Sequence, residues 1–546
     1  MKKIFLLICF IPAVCIIQAQ SKKAKAKADK LTTANLQAHI SYLASDALEG
    51  RRTGTPGEMK AMEYIKQQFE KNHLTPAGTN GYIQEFTIDE GLQLKDDVNS
   101  FSANDKTLVL KDDYFPFPFS ANAEISGTGS PALNESSSPW FFDVADLLEE
   151  NHTNPHFDIM TAVYTEASHM AGKGATAIIV YNSSSFTDNI LFNKNDTTAK
   201  LSVPVVYVTH DAVQKFFGNT TDSYDLTIKV HLQKDIRTAH NLAGFINNNA
   251  STTVVLGAHF DHLGYGEDAN SLDGFGQIHN GADDNASGTA ALIELSRILQ
   301  SSPAKNNNYL FIAFSGEELG LLGSKYWLEH PSYQIIPNYM INMDMVGRYD
   351  TSRKLTIGGY GTSPVWGELF KTHADKNLLV HYDSSGTSPS DHASFYRKDI
   401  PVLFFFTNSH SDYHKASDDA DKINYTAETE IINYIKQIIE ATNYDGRLAF
   451  TKTREQEMRS VALPVTLGVM PDYAYTGTGM RIDGVSKGKT AERIGLQAGD
   501  VLMQLGEYKF VDVQSYMGVL QKFHRGDKTQ LHILRGGKEM VFDVQF

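Results

Sequence analysis

The 546-residue sequence has little sulfur chemistry, few tryptophans and no surplus of positive charge: it contains 2 Cys, 3 Trp, and 49 Lys+Arg against 64 Asp+Glu. The formal net charge of -15 argues against a nucleic-acid partner, because polyanion affinity rests on basic surface. Hydrophobic residues make up 41% and charged residues 21%, ordinary globular values that exclude a disordered or fibrous chain. No apolar run reaches the roughly 20 residues that span a bilayer. Both cysteines, Cys9 and Cys15, lie in the first fifteen residues, so the fate of that segment decides what they mean.

The chain opens Met1-Lys2-Lys3, continues with an apolar stretch from Ile4 to Ile17 and reaches Gln18-Ala19-Gln20. A short basic start, a brief apolar core and a small residue at the cut define a secretory signal. Residues 1–19 are therefore expected to be a bacterial-type signal peptide and the protein to be exported, periplasmic or secreted. Pro12-Ala13-Val14 is a poor lipidation box before Cys15. Cleavage after Ala19 leaves a mature chain without cysteine, so any metal site must use His and carboxylate. Residues 20–32, rich in Lys and Ala, are expected to form a flexible basic leader.

Residues 33–104 carry two apolar patterns of helical spacing, Leu36/Ile40/Leu43 and Met62/Ile65/Phe69, around a Gly/Pro loop at 49–57. Residues 105–236 alternate short β-like runs with polar turns and hold no acid/base cluster. Residues 237–450 switch to buried apolar strands separated by helices. That pattern predicts an α/β domain whose mixed, largely parallel sheet is covered by helices. Residues 455–546 are again short-stranded and form a separate module of about 90 residues.

In the 237–450 block the polar clusters follow the strands. Strand 253–258 runs into His259-Phe260-Asp261-His262, and strand 309–314 into Ser315-Gly316-Glu317-Glu318. Strand 339–343 ends at Asp344, and strand 402–406 precedes His410-Ser411-Asp412-Tyr413-His414. The loop Asn280-Gly281-Ala282-Asp283-Asp284-Asn285-Ala286-Ser287-Gly288 opens a helix. Ligands bind at the carboxyl edge of such sheets. A lone His, a Glu-Glu pair or an Asp-Asp helix cap is each an ordinary surface feature; their conjunction at one edge suits a pair of divalent metals. Two ions about 3.5–4 Å apart need a bridging carboxylate, and a carboxylate off the metal must take the proton from the attacking water. Glu317 and Glu318 can divide those tasks. His262, His279 and His410 read as loop hydrogen-bonding residues.

These motifs, with Leu43-Ala44-Ser45-Asp46 and Leu48-Glu49-Gly50-Arg51 before them, resemble metallopeptidase family twenty-eight, the co-catalytic two-zinc aminopeptidases. The resemblance implies a phosphorylase/hydrolase-like zinc exopeptidase fold and two Zn ions per chain. Asp283 would bridge them, with His259 and Asp344 on one ion and Glu318 and His414 on the other. Glu317 would be the general base, Asp261 would orient His259, and Asp284 would follow a cis peptide. Ser390-Asp391-His392 is similar to a family segment, which implies a substrate-pocket role for His392 and the neighbouring Tyr413. The glutaminyl cyclases of this fold alter the two-metal set; nothing in the set is altered here.

Residues 105–236 resemble a protease-associated insert, through Ala171–Asn182 and Val203–Thr209. Residues 455–546 resemble a PDZ domain, through Ala491–Leu502, with Leu467, Gly468 and Val469 where a peptide-carboxylate loop would stand. A C-terminal peptide ligand is the partner this implies, beside the peptide substrates of the catalytic domain. The alternatives are a carboxypeptidase or dipeptidase on the same core, and a non-catalytic peptide-binding protein on a peptidase scaffold. The second predicts missing ligands, and none is missing.

Overall fold

The computed structural model describes residues 10–152, 154, 157–188, 190–194, 196–268, 270–352, 354–453, 465–471, 478–485, 488–510 and 513–546. The chain divides into two compact units, residues 1–86 with 238–546 and residues 87–237. No helix among the described residues is long and apolar enough to cross a membrane.

The first unit is built on a mixed sheet. Eight of its nine described strands are, in chain order, β1 (Thr75–Pro76), β2 (Gln233–Ile246), β3 (Thr253–His259), β4 (Asn308–Phe314), β5 (Pro337–Met343), β6 (Leu355–Gly358), β7 (Val380–Tyr382) and β8 (Val402–Phe406), and the ninth, Ile83–Gln93, pairs with β2. Their spatial order is β1-β2-β4-β3-β5-β8-β6-β7. The four central strands β4, β3, β5 and β8 are parallel to one another, whereas β2 joins β4 and β6 joins β8 antiparallel. Every residue of β3 and β4 is buried, the signature of strands covered on both faces. The parallel centre brings the carboxyl ends of β4, β3, β5 and β8 to one edge, which is why Glu317, His259, Asp344 and His414 can meet.

Helices α1 (Phe10–Leu43), α2 (Pro56–Lys71), α3 (Gly288–Gln300) and α4 (Tyr425–Ala441) serve this core. Leu36, Ile40 and Leu43 of α1 are fully buried in one cluster with Ile65, Leu292 and Ile435. Each contributes about 1.5–3 kcal/mol by leaving water. The expected flexible leader at 20–32 is instead helical. Lys and Ala favour helix, Thr32 is buried, and Asp29 accepts a 3.0 Å bond from Asn433 on α4. Of the expected signal segment, residues 1–9 lie outside the described residues, and α1 begins at Phe10.

The second unit begins at Thr87, earlier than the boundary at 105 read from the sequence. Leu92, Phe101 and Ala103 pack in its core with Val206 and Ile228, so residues 87–104 belong with this second unit. Its first sheet is antiparallel, in the order Lys106–Leu108, Ser100–Ala103, Tyr224–Val230, Ala123–Gly129. Its second sheet has the order Tyr114–Pro116, Val205–Val208, Ala177–Tyr181, Pro139–Asp143, with the last three parallel.

The described residues of 465–546 form an antiparallel sheet in the order Val469–Pro471, Met480–Val485, Val501–Leu505, Lys528–Arg535, Lys538–Gln545, with Tyr508–Lys509 also paired to Val501–Leu505. Leu467 is buried in its core with Ile482, Leu502 and Ile533, and its carbonyl accepts from the Ala491 N–H at 2.7 Å. Gly468 has φ 75°, a left-handed turn that suits glycine, and Val469 starts the outermost described strand.

One side chain ties the leading segment of the first unit to the catalytic loops. Arg51 is 1% exposed. Its Nε donates to the Phe260 carbonyl at 2.8 Å, Nη1 to Leu43 at 2.5 Å and Asn280 at 2.6 Å, and Nη2 to Gly281 at 3.0 Å. Burial draws its pKa down to about 10, against the pull of Asp284, Asp261, Asp418 and Glu318, so it remains a cation at neutral pH. Replacing Arg51 by Met leaves these carbonyls without their donor, and charged hydrogen bonds contribute about 1.5–3 kcal/mol each. Arg51→Met should therefore destabilise the peptidase transition in calorimetry by about 3 kcal/mol or more; an unchanged transition would contradict the staple.

Candidate metal centre

The loop at 280–288 is shaped by its own side chains. Gly281 has φ 54°, and a Cβ there would meet the Asp284 carbonyl at 2.1 Å and the His262 ring at 2.4 Å. Asn285 Oδ1 accepts from Gly288 N at 2.9 Å and Met345 N at 3.1 Å, while its Nδ2 donates to the Met343 carbonyl at 3.0 Å. Asn285 thus pins the start of α3 to the strand end that carries Asp344. Thr289 Oγ1 donates to the His259 carbonyl at 2.8 Å, fixing the end of β3.

Asp284 stands at the middle of the cluster. Its Oδ1 lies 3.4 Å from His259 Nε2 and its Oδ2 lies 3.2 Å from His414 Nε2. His259 Nε2 is also 3.3 Å from Asp344 Oδ1, and His414 Nε2 is 3.2 Å from Glu318 Oε2. Asp284 therefore presents one oxygen to each of two His–carboxylate pairs, the disposition of a bridging ligand. His259, Asp284 and Asp344 form one group with metal-ligand spacing, and His262, Asp284 and Glu318 a second.

This corrects the reading of the adjacent acids. Asp283 does not face the histidines of either pair. Its Oδ1 accepts from Gly347 N at 2.7 Å and Ser287 Oγ at 3.1 Å, and its Oδ2 is 3.2 Å from His410 Nε2. Asp283 is saturated by the surrounding loops, and the shared position falls to Asp284. The cis peptide likewise joins Asp284 to Asn285, following Asp284 rather than preceding it.

The supporting residues each have a defined contact. The nearest acceptor to His259 Nδ1 is the Asp261 carbonyl at 3.2 Å, with the Asp261 carboxylate 3.7 Å away. That carboxylate accepts from Thr53 Oγ1 at 2.8 Å and from Glu317 N at 3.2 Å, so Asp261 also sets the backbone of Glu317. Ser390 Oγ donates to Asp344 Oδ2 at 2.8 Å. His262, read as a loop residue, instead reaches Glu318 Oε1 through Nδ1 at 2.9 Å; only the spacing within His259-Phe260-Asp261-His262 hinted at that. His279 bonds Gln277 and Ser271 within its own loop. Tyr413 stacks on the His414 ring at 3.8 Å. His392 is fully buried, stacks on Phe404 at 4.3 Å, and is held neutral by burial, its pKa drawn down to about 3. It therefore sits in the core under β8 rather than on a substrate-facing surface.

The electrostatics ask for cations. Asp261, Asp284, Asp344, Glu317 and Glu318 crowd one edge. Burial, then repulsion from Asp344, Glu318 and Asp391, holds Glu317 well above the usual carboxylate range, with His259 pulling the other way. Burial opposes the Glu318 charge too, but His414 and His262 outweigh it and bring the carboxyl to about 2. Burial alone would discharge His259 and His414; their acidic neighbours raise both well above the ordinary histidine value. A pair of His/carboxylate-bound divalent ions fits the same donors and the same charge deficit.

Asp284→Asn and Asp283→Asn separate the two adjacent acids. Dialysed Asp284→Asn should lose the ion pair in elemental analysis. Asp283→Asn should lower the melting temperature yet keep about two ions per chain. The opposite result would return the bridge to Asp283.

The chain is similar to known peptidases. Residues 241–439 match the family model described as Peptidase family M28. Aminopeptidase YwaD of Bacillus subtilis is 26% identical over 371 residues, covering 66% of this chain and 73% of its own length. Aminopeptidase Y of Saccharomyces cerevisiae is 23% identical over 365 residues, covering 61% of this chain and 63% of its own. Among solved structures, BSAP, a zinc aminopeptidase from Bacillus subtilis, is similar with a TM-score of 0.42 and 21% identity, covering 78% of this chain and 96% of its own. Over residues 241–439 the chain is similar to peptidase family M28, and it is a metallopeptidase.

Proposed function

We propose that the protein is an exported aminopeptidase that uses two zinc ions to hydrolyse the first peptide bond of peptides. The observation that carries this reading is Asp284, with one oxygen toward His259 and the other toward His414. His259 and Asp344 would hold one ion, Glu318 and His414 the other, with Asp284 between them. When bound, such a pair polarises a carbonyl and makes an attached water more acidic.

The chain's own residues do the rest. Glu317 is half-buried beside His259 and Asp344, and burial, then the charge of Asp344, raises its pKa, a direction that suits a base that must accept and return a proton. It takes the proton from the water as the C–O bond forms, and delivers it to the departing amine as the C–N bond breaks. Asp261 steers this step by accepting the Glu317 N–H, while Thr53 fixes Asp261 from the leading segment.

Attack at the amino end is supported by relatives that are themselves named aminopeptidases. Export is supported by the basic start and apolar stretch of the first 19 residues. The unit at 87–237, mixed in strand direction, is read as a protease-associated insert. The sheet at 465–546 is read as a PDZ domain whose ligand is a peptide C-terminus. Among the described residues Val469–Pro471 pairs with one strand only, beside the Gly468 turn, which supports the latter, because PDZ domains add a peptide as a strand and capture its carboxylate with loop N–H groups.

Glu317→Gln should reduce kcat on aminoacyl amides by about 10²–10⁴-fold while zinc content stays near wild type. Amino-blocked peptides should resist the wild-type enzyme. Activity retained in Glu317→Gln would remove Glu317 from the mechanism; cleavage of blocked peptides alone would favour a carboxypeptidase.

A further inference from the structure

We propose that Asn270 is a positioning residue for one half of the metal centre, the half formed by Glu318 and His414. The proposal rests on the two-metal reading above and adds to it a residue outside every ligand motif.

Asn270 touches both residues at once. Its main-chain carbonyl lies 2.9 Å from His414 Nδ1. A carbonyl can only accept, so Nδ1 carries the proton and Nε2 keeps its lone pair on the side of Asp284 and Glu318. Its side-chain Nδ2 donates to Glu318 Oε2 at 2.9 Å, the same oxygen that lies 3.2 Å from His414 Nε2. The other end of the amide, Oδ1, is buried without a partner among the described residues. The side chain is therefore spent on Glu318, and only the donor end facing a carboxylate makes chemical sense.

The neighbours of Asn270 hold it in register with the histidine. Leu272 N donates to the His414 carbonyl at 2.9 Å. Asp273 Oδ2 accepts from Ala416 N at 2.8 Å. Arg52 grips Asp268 in two parallel contacts, Nε to Oδ2 at 2.8 Å and Nη2 to Oδ1 at 2.9 Å, the strong bidentate form of this pair. Glu318 follows β4 and His414 follows β8, strands that are not neighbours in the sheet. Asn270 bridges that gap. The other half has separate supports, the Asp261 carbonyl for His259 and Ser390 for Asp344. Loss of the Asn270 amide should therefore weaken one ion and spare the other.

The test uses full-length wild type, Asn270→Ala and Asn270→Leu, stripped of metal and titrated with zinc against a chromophoric chelator. Both substitutions keep the main-chain carbonyl and remove the donor; leucine also keeps the volume. Wild type should bind two ions. Each variant should bind one with wild-type affinity and the second about 10–100-fold more weakly, the usual cost of losing a partner that orients a ligand. The metal-free variants should melt with metal-free wild type. Two ions bound at wild-type affinity by both variants would overturn the proposal, as would a variant that melts lower yet binds both ions normally, because its role would then be scaffolding. Wild type binding fewer than two ions would instead overturn the two-metal reading itself.

Discussion

A guanidinium withdrawn from water is the constraint on which the site depends. Arg51 spends its donors on the carbonyls of Leu43, Phe260, Asn280 and Gly281. One cation thereby joins the end of α1, the loop that carries Asp261 and His262, and the loop that carries Asp283 and Asp284. It is also a fixed positive charge beside an acid-rich edge, since Asp284, Asp261, Asp418 and Glu318 all act to keep it charged. Hydration lost by burying a guanidinium must be replaced by acceptors, and here the acceptors are the backbone of the catalytic loops. The scaffold and the chemistry are thus coupled through the main chain.

Charge explains the rest of the architecture. Carboxylates gathered at the end of a parallel sheet repel one another, and the fold answers each with a specific donor. Ser390 serves Asp344, Thr53 and the Glu317 N–H serve Asp261, and His262 serves Glu318. Asp283 is answered by Gly347 and Ser287. Asp284 and Glu317 are the exceptions, and the side-chain oxygens of Asp284 face histidine nitrogens that a metal would claim. Glu317 has no donor holding its carboxyl among the described contacts, which leaves it free to handle a proton.

Much of this was legible in the sequence because it is locally encoded. Strands 253–258, 309–314, 339–343 and 402–406 are apolar runs of the length a buried strand needs, and each ends within one residue of its expected carboxyl end. His259, Glu317, Glu318, Asp344 and His414 follow those ends, so strand order alone brings them together. The choice between Asp283 and Asp284 was not legible. Two identical side chains in one loop differ only in the direction the backbone gives them. The helical leader was hidden by its solubility, since Lys and Ala suit both a leader and a helix that finds a partner in α4. Leu92 and Phe101 gave the unit boundary no local mark, because the core they join is completed by Val206, Tyr224 and Ile228, more than a hundred residues later. Asn270 sits in a Gly-rich loop with no periodicity, and its two contacts exist only once Glu318 and His414 have been brought beside it.

The central claim is that Asp284 is the carboxylate shared by two metal ions. Anomalous diffraction at the zinc edge, from crystals grown with zinc, tests it most directly. The account predicts two peaks about 3.5–4 Å apart, one beside His259 and Asp344 and one beside Glu318 and His414, with an Asp284 oxygen on each. A single peak, or a pair bridged by Asp283, would contradict it.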